Sequence, residues 1–160
     1  MAGARRQTDL AMQGTTEEQF NWVPPGTANP ISATFLHITG GEDIFVQHLL
    51  QGKPRLWETE GWASEMGVPS PPGRAYGWEE FRGKQSPIAA VLACQQAVRA
   101  STDDYLAKLT SEDLDRPVRF FDGSERPLGE ILVLLVAHTA SHAGEIAALK
   151  GVQGGQGLPI

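Results

Sequence analysis

Residues 127 to 151 have the sequence PLGEILVLLVAHTASHAGEIAALKG, a long apolar segment with helical spacing. The runs ILVLLVA (131–137) and IAAL (146–149) put apolar residues on most faces, which predicts a long, largely buried helix. His138 and His142 are four residues apart, so both imidazoles project from one stripe of that helix, one turn apart. This is the spacing at which one helix offers two nitrogens to a single metal ion.

The histidine pair alone leaves two interpretations open. A histidine on an apolar helix is commonly a core residue hydrogen-bonded to a carbonyl, and the pattern H-x-x-x-H arises easily by chance. Leaving the two imidazoles buried without partners would cost about 1–3 kcal/mol for each unsatisfied group. A third ligand is therefore needed to favour a metal site.

The composition is that of one soluble globular domain covering all 160 residues. The formal net charge of −6 and the absence of a Lys/Arg stripe argue against nucleic-acid binding. No uninterrupted apolar run approaches the roughly 20 residues of a membrane helix, and the N-terminus lacks the apolar core of a signal peptide. Cys94 is the only cysteine, so we expect a reducing cytoplasm and a thiol that packs as a small hydrophobe.

Helix start and stop signals divide the chain into four helices. The first is short (1–14), and the second begins at Asn29-Pro30 and should end at Gly52. The third begins at Ser86-Pro87 and reaches about Leu109, and an extended arm with an Asp-Gly turn (117–124) leads into the fourth. The predicted fold is an all-α four-helix bundle with a flexible Gly-rich tail (152–160).

The connection between the second and third helices (53–85) is long, irregular and rich in Pro and Trp. Such a loop in a compact domain is usually either disordered or functional. Its three tryptophans, Trp57, Trp62 and Trp78, favour an ordered segment that packs as a lid over a site. The alternative is that these aromatic side chains only seal one end of the bundle.

The third ligand must come from the other two histidines, His37 and His48. They lie eleven residues apart, or about 16 Å along a helix, so they cannot serve one ion together. His48 is in the last helical turn, where a cationic side chain suits the helix dipole and solvent, whereas His37 is in mid-helix near Gly40-Gly41. We predict His37 as the ligand and expect another backbone, or a ligand beside His37, to come close at the two glycines, each of which costs about 1 kcal/mol against Ala. Two further acidic residues of this helix are expected to be solvated: Glu42 and Asp43.

Four segments carry a resemblance to a known family: NPISATFLHITGGED (29–43), AHTASHAGEIAALKGVQGGQGLP (137–159), EEQFNWVPPG (17–26) and LTSEDLDRPV (109–118). Together they resemble the DinB-like (YfiT-like) metalloenzyme superfamily over nearly the whole chain. The resemblance implies an up-down-down-up bundle, often dimeric, whose divalent metal is held by His37, His138 and His142. Its members of known activity include thiol-cofactor-dependent transferases and a mycothiol-dependent maleylpyruvate isomerase. The chain departs from the family at Ala143, where members often carry Arg after the second histidine of the pair.

These observations predict a divalent-metal-dependent enzyme that acts on a small molecule, for example a low-molecular-weight thiol, as a transferase or hydrolase. Three neutral imidazoles leave open positions on the ion, as in catalytic sites. We expect Zn or Ni, with Fe or Mn as alternatives, and a homodimer because the first helix is short. Glu145, three residues after His142, is the candidate catalytic residue: it could orient that ligand or act as a base, or merely hydrogen-bond to another helix. The alternative function is a non-enzymatic, metal-stabilised bundle for binding or dimerisation.

Overall fold

The computed structural model describes residues 1–73 and 77–158, and most of them are helical. In chain order the elements are α1 (Ala2–Met12), α2 (Glu17–Asn21), α3 (Ile31–Asp43), a π-helix (Ile44–Leu50), α4 (Leu56–Thr59), α5 (Trp62–Met66), α6 (Ile88–Leu106), a 3₁₀ turn (Glu112–Asp115), β1 (Pro117–Arg119), β2 (Glu125–Pro127) and α7 (Leu128–Val152).

Helices α1, α3, α6 and α7 form a four-helix bundle in which α7 packs against both α1 and α3, and α3 packs against α6. The Lys150 ammonium at the end of α7 donates to the Ala11 carbonyl at the end of α1 (3.2 Å), so these two helices are parallel. Arg5, near the start of α1, pairs with Asp103 near the end of α6 and with Glu42 near the end of α3. Both of those helices therefore run opposite to α1, and the predicted up-down-down-up order is confirmed.

Helix α7 packs against α1 and α3 along one face, and the prediction that it is largely buried is wrong, since 33% of its apolar window is buried. Its side chains Leu128, Ile131, Leu135 and Ile146 are all fully buried. Within the described residues it is also the one helix that length and composition would allow to cross a membrane, with a mean hydropathy of 1.4. A core helix of a soluble protein meets the same criteria, so this feature does not indicate a membrane protein.

The expectation that Glu42 and Asp43 are solvated is wrong, since their relative exposures are only 3% and 2%. Glu42 forms an ion pair with Arg5 inside the bundle. Asp43 accepts hydrogen bonds at 3.0 Å from the backbone N–H groups of Leu56 and Trp57, so it holds the start of α4. These partners lie far away in the sequence, where helical periodicity gives no sign of them.

The second predicted helix differs from expectation at both ends. It begins at Ile31 with Pro30 as its cap residue, not Asn29, and beyond Asp43 it continues as a π-helix. π-helical turns are rare and often occur at functional sites. The predicted extended arm is a β-hairpin, with Gly123 at a φ of +86° in its turn.

Candidate metal centre

His37 on α3 and His138 and His142 on α7 converge between the two helices. Their ring centroids are 4.6 to 4.8 Å apart, and one potential ligand nitrogen of each lies within 4.8 Å of the other two. His48 is exposed on the π-helix, as expected. The structure thus brings together the three histidines that the sequence singled out and leaves the fourth one outside.

Hydrogen bonds to the outer nitrogens orient two of these rings. His37 Nδ1 lies 2.8 Å from the Pro72 carbonyl oxygen, and His142 Nδ1 lies 2.6 Å from Glu145 Oε2. Because both partners are acceptors, each Nδ1 carries the proton and each Nε2 presents a lone pair. His37 Nε2 is directed at His138 Nε2, at a distance of 2.9 Å.

The residues present fit a divalent ion. Tetrahedral coordination with bonds of about 2.0–2.1 Å places ligand nitrogens roughly 3.4 Å apart. This value lies between the 2.9 Å that separates the His37 and His138 Nε2 atoms and the 4.8 Å within which all three ligand nitrogens fall. Within residues 1–73 and 77–158, His138 Nδ1 is buried and has no hydrogen-bond partner. That ring therefore relies on Nε2, which can donate its proton to the facing lone pair of His37 or, in the other tautomer, bind the same ion as His37. Three imidazoles suit Zn, Ni or Fe.

Burial keeps His37 and His138 in the neutral form that binds metal. Desolvation, together with the smaller effects of the charges on protonated His37 and His142, lowers the pKa of His138 to about 4. Burial also lowers the pKa of His37, against the opposing effects of the Pro72 hydrogen bond and the Glu145 carboxylate. Both rings are therefore available as ligands at neutral pH.

The close approach predicted at Gly40-Gly41 is confirmed, although the approaching groups are side chains and not another backbone. A Cβ atom built on Gly41 would lie 2.9 Å from Cε1 of His138, and one on Gly40 would lie 2.5 Å from Cβ of Pro71. Side chains at these positions would displace a candidate ligand and a wall of the site.

A pocket of about 530 Å³ opens on the faces of His37 and His138. Its wall comes from three parts of the chain: the end of α3 with the start of the π-helix, the segments just before α4 and after α5, and the β-hairpin. The other lining residues are Gly40, Gly41, Ile44, Phe45, Arg55, Ser70, Pro71, Pro72, Gly73, Phe120, Phe121 and Asp122. Arg55 and the three phenylalanines were not predicted as site residues, because the sequence signals them only through an aromatic pair beside an Asp-Gly turn.

Both interpretations of the Trp-rich connection describe part of it. Trp57 is 1% exposed and packs in the core, where its indole N–H donates to the Pro69 carbonyl (3.2 Å). The Trp78 ring instead lies 4.7 Å from the His37 ring, and Pro71 lines the pocket. The segment thus seals the core at one tryptophan and borders the histidines at another.

Glu145 lies on the outer side of the cluster, and its carboxylate is 58% exposed. Its hydrogen bond to His142 is within α7, not to another helix. It borders a second, smaller cavity of about 330 Å³ and is not among the residues that line the large pocket. This position suits a residue that orients a ligand ring.

Fold and site together define a helical-bundle protein with a histidine cluster able to hold a metal ion. The sequence profile of the DinB superfamily matches residues 1–146, so the chain belongs to that superfamily. Among solved structures, it is similar to a crystal structure described as the conserved protein of locus from Enterococcus faecalis. That likeness has a TM-score of 0.79 at 17% identity and covers 96% of this chain and 92% of the other, which shows a shared fold. No curated protein matches the sequence significantly.

Proposed function

We propose that this protein is a divalent-metal-dependent enzyme that acts on a small molecule, as a thiol-cofactor-dependent transferase or a hydrolase. The observation that carries the proposal is the cluster of His37, His138 and His142 at the end of a pocket of about 530 Å³. A structural metal site is closed by four protein ligands, whereas three ligands beside a pocket leave room for a substrate.

The chain's own residues prepare this site. Pro72 and Glu145 fix the ring orientations of His37 and His142 through their Nδ1–H groups. A divalent ion held by the three rings would supply Lewis acidity, which lowers the pKa of a bound water or thiol.

Metal analysis tests the first step of the proposal. Protein purified without a nickel column should carry close to one divalent ion per chain, measured by inductively coupled plasma mass spectrometry. His138→Ala should lose that ion, whereas His48→Ala, which removes the exposed histidine outside the cluster, should keep it. Equal metal content in the two variants would refute the site.

The role of Glu145 remains a prediction. Two substitutions can distinguish a residue that orients the His142 ring from one that acts as a base. Gln keeps an oxygen that can accept from His142 Nδ1–H but cannot take up a proton, and Ala removes both functions. If Glu145 only orients the ring, Glu145→Gln keeps metal affinity and turnover, while Glu145→Ala lowers metal affinity by about 10–100-fold. If Glu145 is a base, Glu145→Gln binds metal normally and loses turnover. Assays with low-molecular-weight thiols and an electrophile, and with ester substrates, provide the turnover measurement.

A metal-stabilised bundle without catalysis is the second candidate, and two separate exposed apolar side chains on α7 are consistent with a role in assembly. Val133 and Val152 on that helix are 66% and 74% exposed. We propose a homodimer and a cytoplasmic location, and light scattering during gel filtration measures the oligomeric state. The non-catalytic candidate is supported if metal removal lowers the melting temperature and no substrate is turned over.

A further inference from the structure

Three phenylalanines form one continuous wall of the large pocket. Phe45 lies 6.0 Å from Phe120 and 5.5 Å from Phe121, and the two hairpin rings are 5.1 Å apart, all between ring centroids. These are the distances of edge-to-face and tilted aromatic packing. The wall therefore presents ring faces and edges to whatever enters the pocket.

Packing within the folded chain accounts for Phe45 and Phe120 but not for Phe121. Phe45 and Phe120 pack against a buried apolar cluster that includes Leu128. The Arg126 guanidinium also lies 4.3 Å from the Phe120 ring centroid. Phe121, in contrast, is 41% exposed although it lines the pocket. A large apolar side chain left in water at a concave site indicates a surface that a ligand covers.

Among the described residues that line the pocket, Arg55 is the one guanidinium or ammonium group. It donates Nε–H and one Nη2–H to Glu58 and one Nη1–H to the Ser70 hydroxyl. A guanidinium has five N–H donors, so two of them have no partner within residues 1–73 and 77–158. The spare donors suit a carboxylate or sulfonate.

Asp122 is the one carboxylate among the described lining residues, and it does not oppose the binding of an anion at Arg55. Asp122 Oδ1 accepts from the Ser124 hydroxyl (2.6 Å), and Oδ2 accepts from the Arg126 guanidinium (2.8 Å). Its charge is thus balanced within the hairpin. The carboxylate beside the Arg55 donors is that of Glu58, which already accepts from two of them, so an incoming anion binds at the two N–H groups that remain.

We infer that the pocket binds a small aromatic molecule bearing an acidic group, with its ring against Phe121 and the acidic group on Arg55. That this ligand is a substrate rests on the proposed function, but its binding does not, because neither contact involves the metal. The pocket's volume lies within the usual range of small-molecule sites.

Two fluorescent probes of nearly equal shape test this inference on metal-free protein. Anilinonaphthalene sulfonate carries an anion, and phenylnaphthylamine is its neutral counterpart. Titration with the wild-type chain should give saturable binding of both at one site, with the sulfonate bound about tenfold more tightly because of the charged hydrogen bonds. Equal affinity for the two probes, or no saturable binding, would overturn the inference.

Three variants assign the contacts. Phe121→Ala should weaken both probes by about tenfold. Arg55→Gln should weaken only the sulfonate, so the neutral probe reports whether the pocket is intact. Val133→Ala shortens an exposed apolar side chain that does not line the pocket and should change neither. If Phe121→Ala behaves like Val133→Ala, or if Arg55→Gln weakens both probes equally, the assignment is wrong.

The outcome is separable from that of the metal proposal. If the same preparations carry no stoichiometric ion while the two probes bind as expected, the metal site alone is refuted. Conversely, if a stoichiometric ion is present but Phe121→Ala and Arg55→Gln leave the probe affinities unchanged, the ligand class alone is refuted.

Discussion

Replacing Gly41 with Ala should loosen metal binding while leaving the bundle folded. The added Cβ would lie 2.9 Å from Cε1 and 3.4 Å from Nδ1 of His138. Carbon atoms in favourable contact are about 3.5–4.0 Å apart, so the imidazole must retreat by roughly 0.6 Å. Metal sites tolerate ligand displacements of only about 0.2 Å, and we therefore expect the affinity for the ion to fall by tenfold or more.

The stability of Gly41→Ala should change little. Ala is favoured over Gly inside a helix by about 1 kcal/mol, which offsets the strain of moving one ring. Even a net change of 1 kcal/mol in the free energy of unfolding shifts the melting temperature of a chain of this size by only about 2–4 °C. Metal affinity and stability should therefore separate in this variant.

The matched control is Gly144→Ala, an exposed glycine on α7 whose built Cβ meets nothing within 4 Å. It gains the same helix propensity without touching a ligand ring. Competition with a chromogenic chelator measures affinity for Zn or Ni, and calorimetry of the metal-free chains measures stability. If Gly41→Ala binds metal as tightly as Gly144→Ala, then His138 is not held by this contact or is not a ligand.

Other sites allow tests of stability and reactivity. Burial raises the pKa of Cys94 to about 12 from 9.0, so native protein should resist iodoacetamide at pH 8.5 and react once unfolded in urea; the stability that the buried thiol contributes should be lost as pH rises from about 9 towards 12. Asp43→Asn should lower the free energy of unfolding by about 1–3 kcal/mol in urea titrations, because the amide cannot accept at both positions, whereas exposed Asp104→Asn should have little effect. Glu42→Ala should cost about 1–3 kcal/mol, because Arg5 loses its buried partner but keeps Asp103, and the double replacement of Glu42 and Arg5 by apolar residues should recover most of that loss.

The bundle could be predicted because its causes are local in sequence. Helical periodicity, helix start signals at prolines and stop signals at glycines all act within a few residues. The hairpin before α7 was likewise marked by Asp122-Gly123, and Gly123 does adopt the positive φ that such turns require. The order of the helices came from the family resemblance, since periodicity does not say which helices run parallel.

The parts of the site that escaped prediction depend on contacts between distant segments. The hydrogen bond from His37 to the Pro72 carbonyl joins residues 35 positions apart through an irregular connection. In the pocket wall, the Phe45 ring packs against Phe120 and Phe121, which come much later in the chain. Glu42 was misjudged for the same reason, because its partner Arg5 lies on another helix. A single sequence carries no periodic signal for any of these pairs.

Three departures from regular helix lie next to the histidine cluster, namely Gly40, Gly41 and the π-helix that follows α3, and this coincidence supports a function there. Gly40 and Gly41 together weaken α3 by about 2 kcal/mol relative to alanines, and immediately afterwards the α-helix gives way to a π-helix. Each departure has a geometric use: the glycines admit Pro71 and His138, and the first turn of the π-helix provides Phe45 to the pocket. A scaffold selected only for stability would replace both glycines and continue the α-helix. Variants that restore regular helix here should therefore gain helix propensity and lose ligand binding, the trade expected where a site is built into a fold.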